Sequence, residues 1–354
     1  MLKHINLIEV SLNLRTISWK RGLVVTVDQT KLPEKFVYLK LKTPKEIAEA
    51  IKNMKIRGAP LLGAAAALAL AQTAYKSKPK TKKDLLEKLE KTSNLIKSTR
   101  PTAVNLFNSI DLVLDEAKKY EGAVKEFKDF VVKKCLEIVD MDAQINRMLS
   151  LKGAELIVDG DKILTHCNAG ELATVQYGTA LGVIKAAFRQ GKKIQVVATE
   201  TRPLLQGARL TAFELKKEKI PFILITDNMV GWVMQKGMIS KVVVGADRIL
   251  MSGHVINKIG TYSIAVLAKH HGIPFYVAAP ISTIDQKSRV EEVIIEERKP
   301  EEILRFCGCK VAPKNTKVYN PAFDITPPEF ITGIITEKGV IKPTSEELNK
   351  VLAV

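Results

Sequence analysis

Two reactive side chains follow apolar runs of the kind that form buried β-strands. Cys167 comes directly after KILTH, and Asp247 comes directly after KVVVGA. We expect a helix to begin near Leu172, so that its first-turn amides face the thiol and lower its pKa from a reference of about 8.5 toward neutrality. A carboxyl in apolar surroundings has a raised pKa and can act as an acid. The two residues are therefore candidates for a catalytic base or nucleophile and a catalytic acid.

Both residues also have a purely structural interpretation. A single cysteine is often a small core residue, and a carboxylate after a strand often caps a turn. Asp247 can act as an acid at neutral pH only if its pKa rises well above the reference of about 3.9. His166 precedes the thiol and should face the other side of an extended backbone, so a Cys-His nucleophile pair is not expected. Residue type alone leaves these alternatives open.

The segment IRGAP has the composition of an anion-binding helix start. Arg57, Gly58 and Ala59 stand just before Pro60, which is favoured in a first helical turn. Backbone amides at such a position can face an anion. Arg100 precedes a proline and a second predicted helix in a similar way. Neither pattern is specific, but its occurrence twice in one chain favours a phosphate-bearing ligand.

Two further segments place polar groups near predicted strand ends. Asn257 and Lys258 precede a predicted helix at Gly260, which permits close backbone approach. A lysine there can reach a phosphate or a hydroxyl. Gln206 stands at the start of another predicted helix, where its amide can orient sugar hydroxyls. A polar N-terminal turn is the competing interpretation of the first segment.

The candidate residues require a framework that brings strand ends together. After Asp159, short β-rich runs alternate with helical patterns, which predicts an α/β fold with a Rossmann-like, doubly wound parallel sheet. Ligands of such sheets bind outside the carboxyl ends of the strands, where the strand order reverses. The preceding part predicts a few short antiparallel strands and then mostly helices. We therefore predict a mainly helical domain at residues 1–122 and a catalytic domain at residues 123–354 that includes a linker helix.

Charge and hydropathy argue against two classes of partner. The chain carries 55 Lys and Arg against 38 Asp and Glu, a net charge of +17. Much of the excess lies in residues 76–100, where Lys and Glu alternate along a predicted helix and no aromatic side chain is available to stack on bases. We interpret this charge as solvated surface and expect no nucleic-acid partner. No apolar run approaches the roughly 20 residues of a membrane span, so we expect no membrane partner.

The four cysteines are too few for a disulfide scaffold. The amino-terminal stretch MLKHINLIEV lacks the pattern of an export signal, so the cytoplasm is the expected compartment. Cys307 and Cys309 flank one glycine without a neighbouring histidine, which falls short of a four-ligand zinc site. We interpret that pair as redox-sensitive or incidental, and we predict no metal.

Several longer strings resemble one enzyme family, the methylthioribose-1-phosphate isomerases. The resemblance spans nearly the whole chain. The strings that carry it include RTISWKRGLVVTVDQTKLP, IRGAPLLGAAAA, RPTAVNLF, HCNAGELATVQYGTALG, ETRPLLQGARLTAFEL, VGADRI, NKIGTYSIAVLAKHHG and NPAFDITPPE. Their number, order and spacing make chance agreement very improbable.

The resemblance implies a homodimeric enzyme of methionine salvage that needs no cofactor. Its reaction converts 5-methylthioribose 1-phosphate to 5-methylthioribulose 1-phosphate, an aldose-ketose isomerisation. The family's catalytic pair falls on Cys167 and Asp247. Its substrate contacts fall on Arg57, Gly58, Ala59, Arg100, Gln206, Asn257 and Lys258.

Two related functions are alternatives. A ribose-1,5-bisphosphate isomerase has similar Cys and Asp motifs but needs a cationic pocket for its second phosphate. A regulatory subunit like those of translation initiation factor 2B shares the fold without turnover and need not retain the catalytic pair. Departures from the family pattern at Glu171, at Val175 and Gln176, and at the Cys-Gly-Cys segment leave the chemistry intact but put the exact substrate in question.

Overall fold

The computed structural model describes residues 14–100 and 102–353. The amino-terminal stretch, in which we expect no export signal, and Pro101 lie outside the described residues. The helices are α1 (Pro44–Lys52), α2 (Ala59–Lys76), α3 (Lys82–Lys97), α4 (Val104–Lys119), α5 (Val124–Ala154), α6 (Ala180–Arg189), α7 (Ala212–Lys217), α8 (Val230–Gln235), α9 (Thr261–His270), α10 (Glu301–Leu304) and α11 (Ser345–Ala353). Among these residues, no helix is long and apolar enough to cross a membrane.

The strands form one small antiparallel sheet, two larger sheets and a hairpin. They are β1 (Ile17–Lys20), β2 (Leu23–Val27), β3 (Tyr38–Leu41), β4 (Lys162–Thr165), β5 (Gln195–Thr199), β6 (Phe222–Ile225), β7 (Lys241–Val244), β8 (Arg248–Leu250), β9 (Val255–Lys258), β10 (Phe275–Ala278), β11 (Ile284–Asp285), β12 (Arg305–Phe306), β13 (Cys309–Lys310), β14 (Phe323–Thr326), β15 (Gly333–Thr336) and β16 (Gly339–Ile341).

The amino-terminal part is a helical layer beside the antiparallel sheet β1-β2-β3. Helix α2 is rich in alanine and has almost no exposed face, because it lies at the centre of this core. The first half of α5 packs into the same core through Phe127 and Val131. Its second half packs against the large sheet through Leu149 and Ala154. Helix α5 therefore joins the two cores, and the boundary at 122/123 stays a prediction.

The large sheet confirms the predicted α/β architecture. Its order is β16-β15-β10-β7-β4-β5-β6. All pairs are parallel except the edge pair of β15 with β16. The six parallel strands follow the doubly wound order 3-2-1-4-5-6. The strand order reverses between β4 and β7, which precede Cys167 and Asp247, respectively.

A second sheet, which the sequence patterns did not predict, lies after β7. Its order is β11-β8-β9-β14, and β9 pairs antiparallel with both neighbours. Asn257 and Lys258 are the last two residues of β9, so they lie on a strand and directly before the helical turn of α9. Cys307 and Gly308 form the turn of the exposed β12-β13 hairpin, where Cys307 and Cys309 are free thiols.

The segment after Cys167 differs from the prediction. A single 3₁₀ turn at Glu171–Ala173 replaces the expected helix near Leu172, and α6 begins only at Ala180. Tyr177 and Gly178 both have positive φ, at 71° and 88°, which interrupts a helix. A side chain at Gly178 would lie 2.5 Å from the backbone of Gly170. Close packing of this loop on itself therefore overrides its local helical pattern.

Candidate active site

One cleft contains all nine residues singled out from the sequence. It encloses about 780 Å³, part of which opens to solvent. Its floor lies at the strand-order reversal between β4 and β7, and its opposite wall comes from the starts of α2 and α4. The nine residues are Arg57, Gly58, Ala59, Arg100, Cys167, Gln206, Asp247, Asn257 and Lys258.

Cys167 has a constrained backbone. Its φ is 62°, in the left-handed region that non-glycine residues rarely adopt. Its amide donates to Thr201 Oγ1 at 2.9 Å, and its carbonyl accepts from Thr211 Oγ1 at 2.6 Å. A conformation of this kind costs about 1–3 kcal/mol and persists only where the surroundings impose it. The two threonines thereby fix the direction of the thiol into the cleft.

The thiol of Cys167 has a raised pKa, contrary to the expectation from a helix N-terminus. Burial raises the pKa of Cys167, the nearby Arg57 and Lys258 oppose the rise, and Asp247 adds to it. The expected helix dipole is absent because only a 3₁₀ turn follows. The group is therefore a thiol at neutral pH.

Asp247 has the environment that an acid requires. It follows β7 by three residues, and its amide donates to the carbonyl of Ile256 at 3.0 Å. Burial raises the pKa of Asp247, and the positive charges of Arg100, Arg57 and Lys258 partly oppose the rise. The direction agrees with the predicted raised pKa. The carboxyl thus holds its proton to a higher pH than an exposed aspartate.

Arg57 and Gly58 form a preorganised edge of the cleft. The guanidinium donates from Nη1 to Asn168 Oδ1 at 2.7 Å and from Nη2 to the Asn168 carbonyl at 2.8 Å. Gly58 precedes α2 with φ of 100°, and a Cβ there would lie 2.5 Å from the Cα of Ala173. Ala59 and Pro60 open α2 as predicted, so the helix N-terminus faces the cleft.

Two more cations face the same space from opposite sides. Arg100 lies 3.6 Å from Glu296, and its buried Nε has no partner among the described residues. Lys258 Nζ donates to the carbonyl of Ala322 at 3.1 Å. Burial lowers the pKa of Lys258, and Cys167 and Asp247 oppose the fall. Three cations around one cleft suit a dianionic group.

The two amide side chains are buried at the cleft. Gln206 is 5% exposed, and its Oε1 has no hydrogen-bond partner within the described part of the chain. It precedes a π-helical turn at Gly207–Thr211 that leads into α7. Asn257 donates from Nδ2 to Thr261 Oγ1 at 3.0 Å. Gln206 therefore keeps an acceptor available for a hydroxyl donor.

His166 is not paired with the thiol, as expected. Its Nε2 bonds the carbonyl of Ile259 at 2.9 Å, and its Nδ1 bonds Thr199 Oγ1 at 2.6 Å. A carbonyl only accepts, so Nε2 carries the hydrogen and Nδ1 accepts from the hydroxyl. Burial lowers the pKa of His166. The ring is neutral and braces the loop that follows Lys258.

Arg298 is a cleft residue that the sequence reasoning missed. It comes from the excursion between β11 and β14, and it pairs with Glu302 at 2.6 Å and Glu296 at 2.9 Å. Its neighbourhood, EERKPEE, has the pattern of a charged surface segment, so no local signal distinguishes it. Asn168 was also missed, although it stands next to Cys167.

No group of three or more His, Cys, Asp or Glu side chains suited to a metal occurs in residues 14–100 and 102–353.

Comparison with known proteins shows to which family the chain belongs. The model of the initiation factor 2 subunit family matches residues 55–343, which is well over half of the chain. The chain belongs to the initiation factor 2 subunit family. Curated relatives that are 50% identical to this chain bear the name methylthioribose-1-phosphate isomerase, so the predicted resemblance is confirmed.

The relatives in the initiation factor 2 subunit family match over nearly the full length. The methylthioribose-1-phosphate isomerase of Thermotoga maritima is 50% identical, with 98% of this chain and 100% of the relative covered. The structure of 5-methylthioribose 1-phosphate isomerase from Pyrococcus horikoshii OT3 has a TM-score of 0.89 at 44% identity, with 96% of each chain covered. A structure described as translation initiation factor eIF-2B subunit delta from A. fulgidus has a TM-score of 0.84 at 50% identity, with 96% of this chain and 100% of that chain covered.

Proposed function

We propose that this chain is a methylthioribose-1-phosphate isomerase of methionine salvage. It converts 5-methylthioribose 1-phosphate to 5-methylthioribulose 1-phosphate. The observation that carries the proposal is the position of Cys167 and Asp247 at the strand-order reversal, in a cleft that also holds Arg57, Arg100 and Lys258. Relatives of that name match over nearly all of this chain.

The proposed chemistry begins with ring opening, because the phosphate on the anomeric carbon prevents formation of a free aldehyde. Protonated Asp247 donates to the ring oxygen as the bond from that oxygen to carbon 1 breaks. The arginines, Lys258 and the amides at the start of α2 hold the phosphate. Its raised pKa keeps Asp247 supplied with the proton that this step consumes.

Two routes can follow ring opening. In the first, the Cys167 thiolate removes the proton on carbon 2 and an enol phosphate forms. A proton then returns from the thiol to carbon 1, and the ionised Asp247 takes the hydroxyl proton of carbon 2 as that carbon becomes the ketone. In the second, hydride moves from carbon 2 to carbon 1, the ionised Asp247 takes the hydroxyl proton of carbon 2, and Cys167 stays a thiol. The raised pKa of Cys167 is unfavourable for the first route. Deuterium from solvent on carbon 1 of the product supports proton transfer, and its absence supports the hydride shift.

Two apolar side chains beside the cleft support a methylthio group on the substrate. Met54 and Leu204 line both the cleft and its outer continuation. That continuation also contains the carboxylates of Glu296, Glu297 and Glu302. One of its cations, Arg298, is paired with two of them. The continuation also holds the cations Lys52, Arg209 and Lys299, so its charge does not decide between the two substrates. The support for a methylthio group is the apolar contact that Met54 and Leu204 offer to a thioether.

The direct test offers the purified protein both candidate substrates. Phosphorus NMR should show conversion of 5-methylthioribose 1-phosphate to the ketose phosphate and far slower conversion of ribose 1,5-bisphosphate. Faster turnover of the bisphosphate would reassign the substrate. Absence of turnover on both would favour the regulatory-subunit alternative.

We further propose that the enzyme is a cytoplasmic homodimer, as the family resemblance implies. The edge strand β6, helix α8 and the 3₁₀ turn between them carry exposed apolar side chains that support the dimer. These are Ile223, Leu224, Met229 and Trp232. Contiguous exposed apolar side chains are typical of interaction surfaces. A second copy of the chain is the partner that we assign to this surface.

A further inference from the structure

A buried line of polar side chains runs from the interior of the sheet domain to Arg57. We propose that Glu214 and Asn168 are positioning residues, which set the orientation of the Arg57 guanidinium for the 1-phosphate group. The inference rests on the proposed function and adds to it two residues that act through Arg57. Asn168 is 3% exposed and Glu214 is 1% exposed.

Asn168 holds the guanidinium at two points. Arg57 Nη1 donates to its side-chain oxygen at 2.7 Å, and Nη2 donates to its main-chain carbonyl at 2.8 Å. Two hydrogen bonds to different nitrogens of a planar group fix both its position and its plane. An arginine has five N–H groups, so these bonds leave the others free to bind a phosphate in the cleft.

Glu214 determines which way the Asn168 amide points. Asn168 Nδ2 donates to Glu214 Oε1 at 3.0 Å and lies 3.3 Å from Thr211 Oγ1. A carboxylate only accepts and a guanidinium only donates, so a single amide orientation satisfies both neighbours. The reversed amide would present its NH₂ group to Arg57 and its oxygen to Glu214. The chain Glu214–Asn168–Arg57 is therefore directional.

Glu214 is itself fixed by groups that need its negative charge. Its Oε2 accepts from Lys185 Nζ at 2.7 Å and from the amide of Glu171 at 2.8 Å, and its Oε1 accepts from the amide of Leu172 at 3.2 Å. The pKa of Glu214 is lowered because Lys185 and the hydrogen bonds outweigh the effect of burial. A buried ion pair adds little net stability over apolar packing. The main effect of the Lys185–Glu214 pair is therefore to fix the position of the Glu214 carboxylate.

A double-mutant cycle tests whether these residues act through Arg57. Asn168→Ala and Glu214→Gln should each lower kcat/KM by about 100-fold, the scale of a 1 Å misplacement. In the Arg57→Ala background, each should lower kcat/KM by less than about threefold, because the group they position is gone. Full additivity of the two losses would overturn the proposal, since general structural damage does not depend on Arg57.

Glu218→Gln is the matched control. Glu218 is also a buried carboxylate, at the end of α7, and it pairs with Arg189 at 2.9 Å without a bond to Asn168. This variant should lose unfolding stability yet keep kcat/KM within about twofold. An equal loss of kcat/KM in the control would overturn the proposal. Asn168→Ser provides the same cycle should Glu214→Gln fail to fold.

A structural readout separates this inference from the proposed function. If the wild type isomerises neither candidate substrate, the proposed function fails. Crystal structures of the wild type and of Asn168→Ala then decide the positioning role without any turnover. The guanidinium of Arg57 should move by about 1 Å or more in the variant. An unmoved guanidinium would overturn the inference.

Discussion

Asp247 combines a catalytic requirement with a stability cost in one side chain. Its carboxyl is useful as an acid because burial raises its pKa. The same burial makes the ionised form unfavourable in the folded protein. Substitutions at this residue should therefore separate activity from stability.

We predict that Asp247→Asn lowers kcat by about 100- to 10,000-fold and leaves KM nearly unchanged, because it removes a proton donor and keeps the size of the side chain. Steady-state kinetics on 5-methylthioribose 1-phosphate provide the measurement. Turnover close to that of the wild type would remove Asp247 from the acid role.

The same variant should be more stable than the wild type at neutral pH. Because the pKa of Asp247 is raised on folding, the folded state binds more protons than the unfolded state above the ordinary pKa. The wild type therefore loses stability as pH rises from the ordinary pKa of an aspartate to the raised pKa of Asp247. Denaturant titrations between about pH 4 and about pH 8 should show a growing advantage of Asp247→Asn. A constant difference would contradict the raised pKa.

The turn that precedes α2 depends on glycine at its last position. Gly58 has φ of 100°, and a Cβ there would lie 2.5 Å from the Ala173 backbone. Gly160 also has positive φ, at 85°, but nothing lies within 4 Å of an added Cβ. The two positions thus separate backbone strain from steric conflict.

We predict that Gly160→Ala loses about 1–2 kcal/mol of unfolding free energy and keeps full activity. Gly58→Ala should lose more and lower kcat/KM at least about tenfold, because the clash displaces the amides that face the cleft. Chemical denaturation and kinetics of both variants test the difference. Equal behaviour of the two alanines would show that the close approach to Ala173 is unimportant.

Strand β14 caps α9 beside the cleft. Asp324 Oδ2 accepts from the amides of Gly260 at 2.7 Å and Tyr262 at 3.1 Å. Burial raises the pKa of Asp324 to about 6, although these two hydrogen bonds and Lys258 oppose the rise. The ionised cap is therefore less favourable in the folded state than in water.

Asp324→Asn should gain stability over the wild type as pH rises from about 4 to about 6, and the gain should level off near 2–3 kcal/mol, roughly 1.4 kcal/mol for each pH unit of the raised pKa. Asparagine keeps an oxygen that can accept the two amides. Unfolding free energies measured across this range provide the test. A gain that is already complete at pH 4 would contradict the raised pKa of Asp324.

The whole molecule is needed for the cleft, because its two walls come from different cores. Arg57 and Arg100 precede helices of the helical layer. Cys167 and Asp247 follow strands of the large sheet, and Lys258 ends β9 of the second sheet. The exposed surface of β6 and α8 is a separate feature of the molecule, and it carries the proposed dimer.

We predict that the wild type is a dimer by light scattering and that Trp232→Glu is a monomer over the same concentrations. Trp232 is 56% exposed, and a carboxylate at an apolar interface is left without compensation. Tyr319→Glu is the control, because Tyr319 is 78% exposed and lies outside this surface. A monomeric wild type would contradict the homodimer, and a dimeric Trp232→Glu would move the interface elsewhere.

Local patterns in the sequence were sufficient for five of the six parallel strands and for the residues at their ends, whereas β15 was not predicted. Continuous apolar runs such as those before Cys167 and Asp247 predict buried strands, and their alternation with helices predicts a parallel sheet. Parallel strand ends meet at one edge, so residues far apart in sequence could be assigned to one cleft. The identity of the family also followed from sequence strings alone.

Contacts between distant segments determined the features that the sequence did not predict. The loop after Cys167 does not form the predicted helix, because it packs against itself and against Glu214. The pKa of Cys167 followed burial, since a 3₁₀ turn stands where a helix was expected after the thiol. Arg298 and Asn168 joined the cleft through neighbours that no spacing reveals. The sequence had already indicated most residues of the site. Their burial and long-range hydrogen bonds depend on the complete fold, so only the tertiary structure determined the electrostatics of the site.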